Sequence, residues 1–99
     1  MSTPTGTERY VDQVVAGPGG VMTDEVGVIT GDLTVATELG PRQVRVWVQY
    51  TGAEEWYEVT GSPLPVPDAA DTGMRLHQAI VAAAATGLPT GLTSAALPI

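Results

Sequence analysis

The side chain best suited to acid–base chemistry in this 99-residue sequence is its single histidine, His77. An imidazole changes charge near neutral pH, so a carboxylate or hydroxyl beside it would make a general base or a pH-sensitive switch. At helical spacing, however, His77 falls in the middle of an apolar stripe. Our main interpretation is a buried histidine bonded to a backbone carbonyl, and the alternative is a small enzyme that uses His77 as acid and base.

The acidic pairs of the sequence offer no clearer catalytic site. Glycosidase-type catalysis needs two carboxylates that face each other across a cleft. Glu54 and Glu55 fall at a predicted hairpin tip, where we expect solvent around them. Asp68 and Asp71 are explained as the first residues of a helix, where acidic side chains are favoured. We therefore predict no catalytic residues and a protein that is not an enzyme.

Composition excludes several further classes of function. The chain has 4 Arg, no Lys, no Cys and 11 acidic residues, with a formal charge of -7. It lacks a basic surface for nucleic-acid phosphates or an anionic membrane, and it lacks a thiol nucleophile or a cysteine zinc site. We expect no cofactor, no metal, no nucleic acid and no membrane partner. Without cysteines or a signal segment, the expected location is cytoplasmic.

The clearest structural pattern is a strict alternation of apolar and polar residues that begins at Val44. A period of two is typical of a strand, and it predicts a β-hairpin over residues 42–60. A four-residue loop would place Val59 opposite Val48. A shift of one residue would place Glu58 against Val48 and mix the two faces, so we expect the first register.

The face of this hairpin opposite the valines carries both tryptophans of the sequence. Trp, Tyr and Arg are enriched among the residues that dominate protein–protein binding. We therefore predict a candidate partner surface formed by Arg45, Trp47, Gln49, Trp56 and Glu58. Two alternatives stay open: the N-terminal segment or the C-terminal tail covers this face, or a protein partner or a second copy of the chain does.

The remaining segments complete a single small domain over residues 1–99. Residues 8–16 favour a short helix over a strand because their apolar pairs lie four apart, and residues 21–39 are typical of two strands around a turn. The other predicted segments are a loose leader at 1–7, a proline-rich link at 61–67, an amphipathic helix at 68–86 and an uncharged tail at 87–99.

These patterns together predict an α+β fold. We expect an antiparallel sheet of about four strands, with one C-terminal amphipathic helix packed on the face that carries the valines. The expected function is that of a small acidic, non-enzymatic interaction or accessory module. A structural subunit of a homo-oligomer, held by the tail and an exposed sheet edge, is the alternative.

Overall fold

The computed structural model describes residues 8–40, 42–66, 73–94 and 97. In chain order, the elements are β1 Glu8–Val15, β2 Val21–Thr23, β3 Gly27–Ile29, β4 Asp32–Leu39, β5 Gln43–Tyr50, β6 Tyr57–Glu58, β7 Leu64–Pro65 and α1 Gly73–Thr86. The main sheet is antiparallel in the order β1–β4–β5–β6, with β7 paired to the start of β5, and β2 and β3 form a separate sheet. The predicted α+β fold is confirmed, with five strands in the main sheet instead of about four.

Side-chain alternation divides the main sheet into two faces. The core face carries Val44, Val46 and Val48, which are fully buried and form one cluster with Leu76 and Ile80 of α1. The intervening residues form what we call the open face: Arg9, Val11, Gln13 and Val15 of β1, Thr34, Ala36 and Glu38 of β4, Arg45, Trp47 and Gln49 of β5, and Glu58 of β6.

The helix α1 packs on the core face through one stripe of its surface. Its buried residues are Gly73, Leu76, His77, Ile80 and Ala84. Met74, which helical spacing places on the same side of α1 as His77, is 50% exposed, whereas Leu76 is fully buried. Gly87 follows the helix with a φ of 115°, a left-handed conformation that ends the helix and favours glycine. Residues 68–72, where the helix was expected to begin, lie outside the described residues.

Residues 8–16 contain an edge strand, and the predicted helix is wrong. The strand β1 pairs with β4 in one unbroken antiparallel register. Val11 and Val15, which the helical pattern assigned to one apolar face, are 45% and 69% exposed. Because the backbone of this segment completes a sheet, pairing with β4 outweighs the local spacing of its apolar residues.

The hairpin of β5 and β6 has the predicted facing, but its predicted register is wrong. Tyr57 lies opposite Val48 in the position expected for Val59, a displacement of two residues. A shift of two keeps every side chain on the same face, so the hydrophobic pattern cannot distinguish the two registers. The connection accordingly spans residues 51–56 and is longer than the expected four-residue loop.

The proline-rich link and the tail both contribute to the folded structure. Leu64 and Pro65 form β7 against the first residues of β5, so the link is partly a strand. Leu92 and Leu97 of the tail are buried in the cluster that contains the valines of the core face. The predicted leader, residues 1–7, lies outside the described residues.

Candidate functional site

The five residues of the predicted partner surface lie together on the open face. Arg45, Trp47 and Gln49 alternate along β5, Glu58 lies opposite Trp47, and Trp56 precedes β6. All five side chains are half-buried. The described residues of the two segments that were expected to cover this face lie elsewhere: residues 8–15 form β1 of the same sheet, and Leu92 and Leu97 of the tail pack into the core.

A cleft separates the two indole rings on this face. It is lined by Arg9, Glu38, Trp47 and Trp56 and has a volume of about 230 Å³. The Arg9 guanidinium lies 5.2 Å from the centroid of the Trp56 ring, and that of Arg45 lies 5.0 Å from the centroid of the Trp47 ring. Both distances are typical of cation–π contacts, so each ring already has a cation beside it.

Glu38 holds the Trp47 ring in place. Its Oε1 accepts a hydrogen bond of 2.9 Å from Nε1 of Trp47, and its Oε2 lies 3.5 Å from Nε of Arg9. Because the indole N–H has its acceptor within the protein, the ring is oriented before any ligand arrives. The sequence analysis did not include Arg9 or Glu38 in the partner surface. Glu38 could have been found, because it alternates with the apolar residues of 33–39 and therefore lies on the face opposite to them.

A second ion pair lies beside this cleft. Arg45 donates from Nε and Nη2 to the two carboxylate oxygens of Glu58, at 3.2 and 3.0 Å. The Ser62 hydroxyl donates to the same carboxylate at 3.0 Å and accepts from the Val46 amide at 2.8 Å. The hydrogen bond from Arg45 holds the pKa of the Glu58 carboxyl below its ordinary value, and in turn the pKa of Arg45 is raised.

The charges of the open-face cluster cancel. Arg9 and Arg45 supply two positive charges, and Glu38 and Glu58 supply two negative ones. The formal charge of -7 is therefore carried by the rest of the chain. The cluster presents aromatic rings and paired charges to solvent, without a net charge of its own.

His77 lies on the core face, and both of its ring nitrogens bond side chains. Nδ1 lies 2.8 Å from Oγ1 of Thr37, and Nε2 lies 2.7 Å from Oδ2 of Asp12. Since a carboxylate only accepts, Nε2 carries a proton, and in the neutral ring Nδ1 accepts from the Thr37 hydroxyl. Tyr10 stacks on the imidazole with 5.6 Å between ring centroids. The expected bond to a backbone carbonyl is wrong, because two distant side chains occupy its place.

The order of hydroxyl, imidazole and carboxylate in this cluster resembles a nucleophilic triad. Thr37 has no exposed surface and His77 is 1% exposed, so a substrate has no access to the hydroxyl. Only the Asp12 carboxylate, 64% exposed, meets solvent. The three residues come from β1, β4 and α1, so their hydrogen bonds link the helix to two strands of the sheet.

Tyr10 has a further bond at the edge of this cluster. Its hydroxyl donates to Oε2 of Glu8 at 2.9 Å, and this hydrogen bond raises the pKa of the phenol. Within the described residues, no three His, Asp or Glu side chains converge in a way that would hold a metal ion. The helix of the described chain is too short to cross a membrane.

Comparisons with protein-family models, with curated proteins and with solved structures return no match for this chain. The geometry of its own side chains is therefore the basis on which a function is proposed.

Proposed function

We propose that this protein is a small non-enzymatic interaction module that binds a protein partner through Trp47 and Trp56 on its open face. The observation that carries the proposal is the position of these rings. Both indoles lie half-buried on a sheet face, and apart from the connection that carries Trp56, the helix and the described part of the tail pack on the opposite face. The proposal includes a cytoplasmic location, which suits a chain without cysteines.

The energetics of covering this surface support the proposal. A tryptophan side chain carries roughly 150–250 Å² of surface, and burial stabilises a complex by about 25 cal/mol for each Å² of apolar area. Trp and Arg are also the residue types most enriched at binding hot spots. Because Glu38 already orients the Trp47 ring, binding costs that ring little conformational entropy.

The size of the cleft favours a protein over a small-molecule ligand. Small-molecule sites enclose about 300–1,000 Å³, whereas this cleft holds about 230 Å³. A space of that size suits one side chain projecting from a partner surface. Nucleic acid is a poor ligand, because the guanidinium groups of Arg9 and Arg45 are already paired with carboxylates.

The proposal is tested by capture from an extract of the source organism, followed by titration of the purified captured protein. Three immobilised chains are compared: the wild type, the double variant Trp47→Ala/Trp56→Ala, and Tyr50→Ala. Tyr50 is the matched control, because it is an exposed aromatic residue of the same strand on the core-face side. We expect the double variant to bind roughly 100-fold more weakly or worse, and Tyr50→Ala to bind like the wild type.

Unfolding of the same variants in denaturant distinguishes a binding role from a folding role. The double variant should retain its circular dichroism spectrum and a single cooperative transition. Undiminished binding by the double variant would contradict the proposal. So would loss of the cooperative transition, because the rings would then belong to the core of the protein.

A further inference from the structure

The two edges of the main sheet differ, because another segment of the chain hydrogen-bonds to one of them and no described segment bonds to the other. At the β6 edge, the Asp24 amide donates to the Glu58 carbonyl and the Thr60 amide donates to the Met22 carbonyl, each at 3.0 Å. The β2–β3 hairpin therefore closes that edge. At the other edge, β1 has β4 on one side only, and no backbone of the described residues pairs with its outer side.

One hydrogen bond shows which groups of β1 point outward. The Ala16 amide donates to the Gly31 carbonyl at 2.9 Å, and this pair continues the β1–β4 register. In an antiparallel ladder, residues alternate between bonding the neighbour and pointing away from it. The even-numbered residues of β1 thus bond β4, and the outward N–H and C=O groups belong to Arg9, Val11, Gln13 and Val15.

The outer edge of β1 has few of the features that block strand pairing. Edge strands are commonly blocked by charged side chains, above all lysine, by proline or by a bulge. The charged side chains of β1 are already bonded within the chain: Glu8 to Tyr10, Arg9 to Glu38 and Asp12 to His77. The chain has no Lys, β1 contains no Pro, and the register with β4 is unbroken over eight residues. On the open-face side of this edge, Val11 and Val15 are exposed. Such an edge is suited to bind another strand.

The helix adds apolar surface on the other side of the same edge. His77 lies over Asp12, and the Ala84 carbonyl accepts from the Gly17 amide, so α1 runs along β1. At about 100° per residue, Met74 and Val81 share the flank of α1 next to His77. Because His77 contacts Asp12 and Tyr10 of β1, this flank lies on the β1 side of the helix, and Met74 is 50% exposed.

We propose that β1 pairs antiparallel with β1 of a second copy of this chain, about a two-fold axis at Gln13. In this dimer, the two main sheets join into one. Val11 lies opposite the partner's Val15, Gln13 lies opposite the partner's Gln13, and the α1 flanks that carry Met74 face each other. Each hydrogen-bonded residue pair exchanges two backbone bonds, which satisfies the outward groups of both strands.

Side-chain complementarity selects this axis from its neighbours. An axis at Asp12 would place two carboxylates directly opposite each other, which is destabilising. An axis at Val11 would make a single pair of exposed valines, Val11 with the Val11 of the second copy. The axis at Gln13 makes two such pairs. The axis at Gln13 pairs the exposed valines, and it lies closer to the middle of α1, which passes over β1 between Asp12 and Gly17.

Light scattering of the full chain over a range of concentrations provides the first test. The wild type should show twice the mass of one chain at high concentration. Gln13→Pro removes an outward amide without removing a bond to β4, and Val15→Lys places a charge against the partner's Val11. Both variants should be monomeric with an unchanged circular dichroism spectrum, and Gln13→Ala should still dimerise. A wild type of single-chain mass at all concentrations would overturn the proposal, as would dimers in both edge variants.

Oxidative cross-linking tests the register, because any introduced cysteine is the only thiol of the chain. Gln13→Cys should form a disulfide-linked dimer, since opposed residues lie about 5.5 Å apart between Cα atoms. Val11→Cys should not cross-link, and cross-linking at position 11 in place of 13 would overturn the axis at Gln13. The proposal does not depend on the open-face function, because the Trp47→Ala/Trp56→Ala variant should remain dimeric.

Discussion

Two polar clusters on opposite faces of one sheet illustrate how the same kinds of side chain differ with burial. On the core face, Thr37 and Asp12 bond the two nitrogens of a fully enclosed His77. On the open face, Arg45 pairs with Glu58, and Glu38 bonds Trp47, in a cluster that solvent reaches. The polar side chains of both clusters have hydrogen-bond partners. The clusters differ in the free energy of unfolding that is lost when one partner is removed.

Burial decides that cost. An enclosed polar atom that loses its partner gains no water in exchange, whereas an exposed one is resolvated. We therefore expect the core-face cluster to support the fold and the open-face cluster to contribute little stability. A surface that contributes little to folding is free to serve binding, so the core face supports the fold and the open face binds the partner.

The largest expected effect is that of His77→Ala. The substitution empties a buried site and leaves the Thr37 hydroxyl without its partner, so it should lower the free energy of unfolding by about 3 kcal/mol. Equilibrium denaturation measures this loss. Gln78→Ala, an exposed position next to it on α1, is the control and should change the value by less than about 0.5 kcal/mol. A loss below about 1 kcal/mol for His77→Ala would show that the core-face cluster does not support the fold.

A smaller effect is expected from Thr37→Val, compared with the same substitution at Thr34 of the same strand. Thr37→Val preserves the shape of the side chain and removes the donor for Nδ1 of His77, which should cost about 1–2 kcal/mol. Thr34 lies on the open face and bonds the Thr51 hydroxyl at 3.0 Å. Thr34 is only 8% exposed, but the Thr51 hydroxyl also donates to Oδ1 of Asp32 at 2.8 Å and stays bonded after the substitution. Thr34→Val should therefore cost less than about 0.5 kcal/mol, and equal costs at the two positions would remove the contrast between the faces.

A smaller effect than that of Thr37→Val is expected from Arg45→Met. The Arg45 side chain is 42% exposed, and the Glu58 carboxylate, although only 13% exposed, keeps the Ser62 hydroxyl as a donor. We expect a loss of less than about 1 kcal/mol at neutral pH. The pKa of Glu58 lies below its ordinary value of 4.5 in the folded state, so its contribution is present above that value. It is lost as the pH falls through the folded pKa. The stability difference between wild type and variant should therefore shrink below about pH 4.5, and a difference that grows there would contradict the pairing.

The sequence predicted the facing of strands better than their register or partners. The alternation along β5 placed the valines and Trp47 on opposite faces because a strand leaves no other arrangement. The register with β6 was missed because β6 is only two residues long and the Ser62 hydroxyl, not a strand, bonds the Val46 amide. A serine hydroxyl that accepts a strand amide in place of a backbone carbonyl cannot be recognised from the alternation of apolar and polar residues.

The environment of His77 was not predictable from local pattern. Its burial followed from the helical stripe, but its partners come from β1 and β4, which lie 65 and 40 residues away along the chain. The mistaken helix at residues 8–16 concealed Asp12, because only a strand at the edge of the sheet brings that carboxylate under α1. One error in secondary structure thus removed a whole cluster from the expected site.

Tryptophan emission of the wild-type chain, titrated with the purified partner, shows whether the open face is the surface that binds. The chain has two tryptophans, and both line the open-face cleft, so the signal reports on that surface and on no other part of this chain. A partner free of tryptophan, by nature or by substitution, keeps the signal specific. We predict a shift to shorter wavelength that saturates with the dissociation constant of the complex, together with weaker quenching by acrylamide. Binding that leaves emission and quenching unchanged would show that the partner does not bind at Trp47 and Trp56.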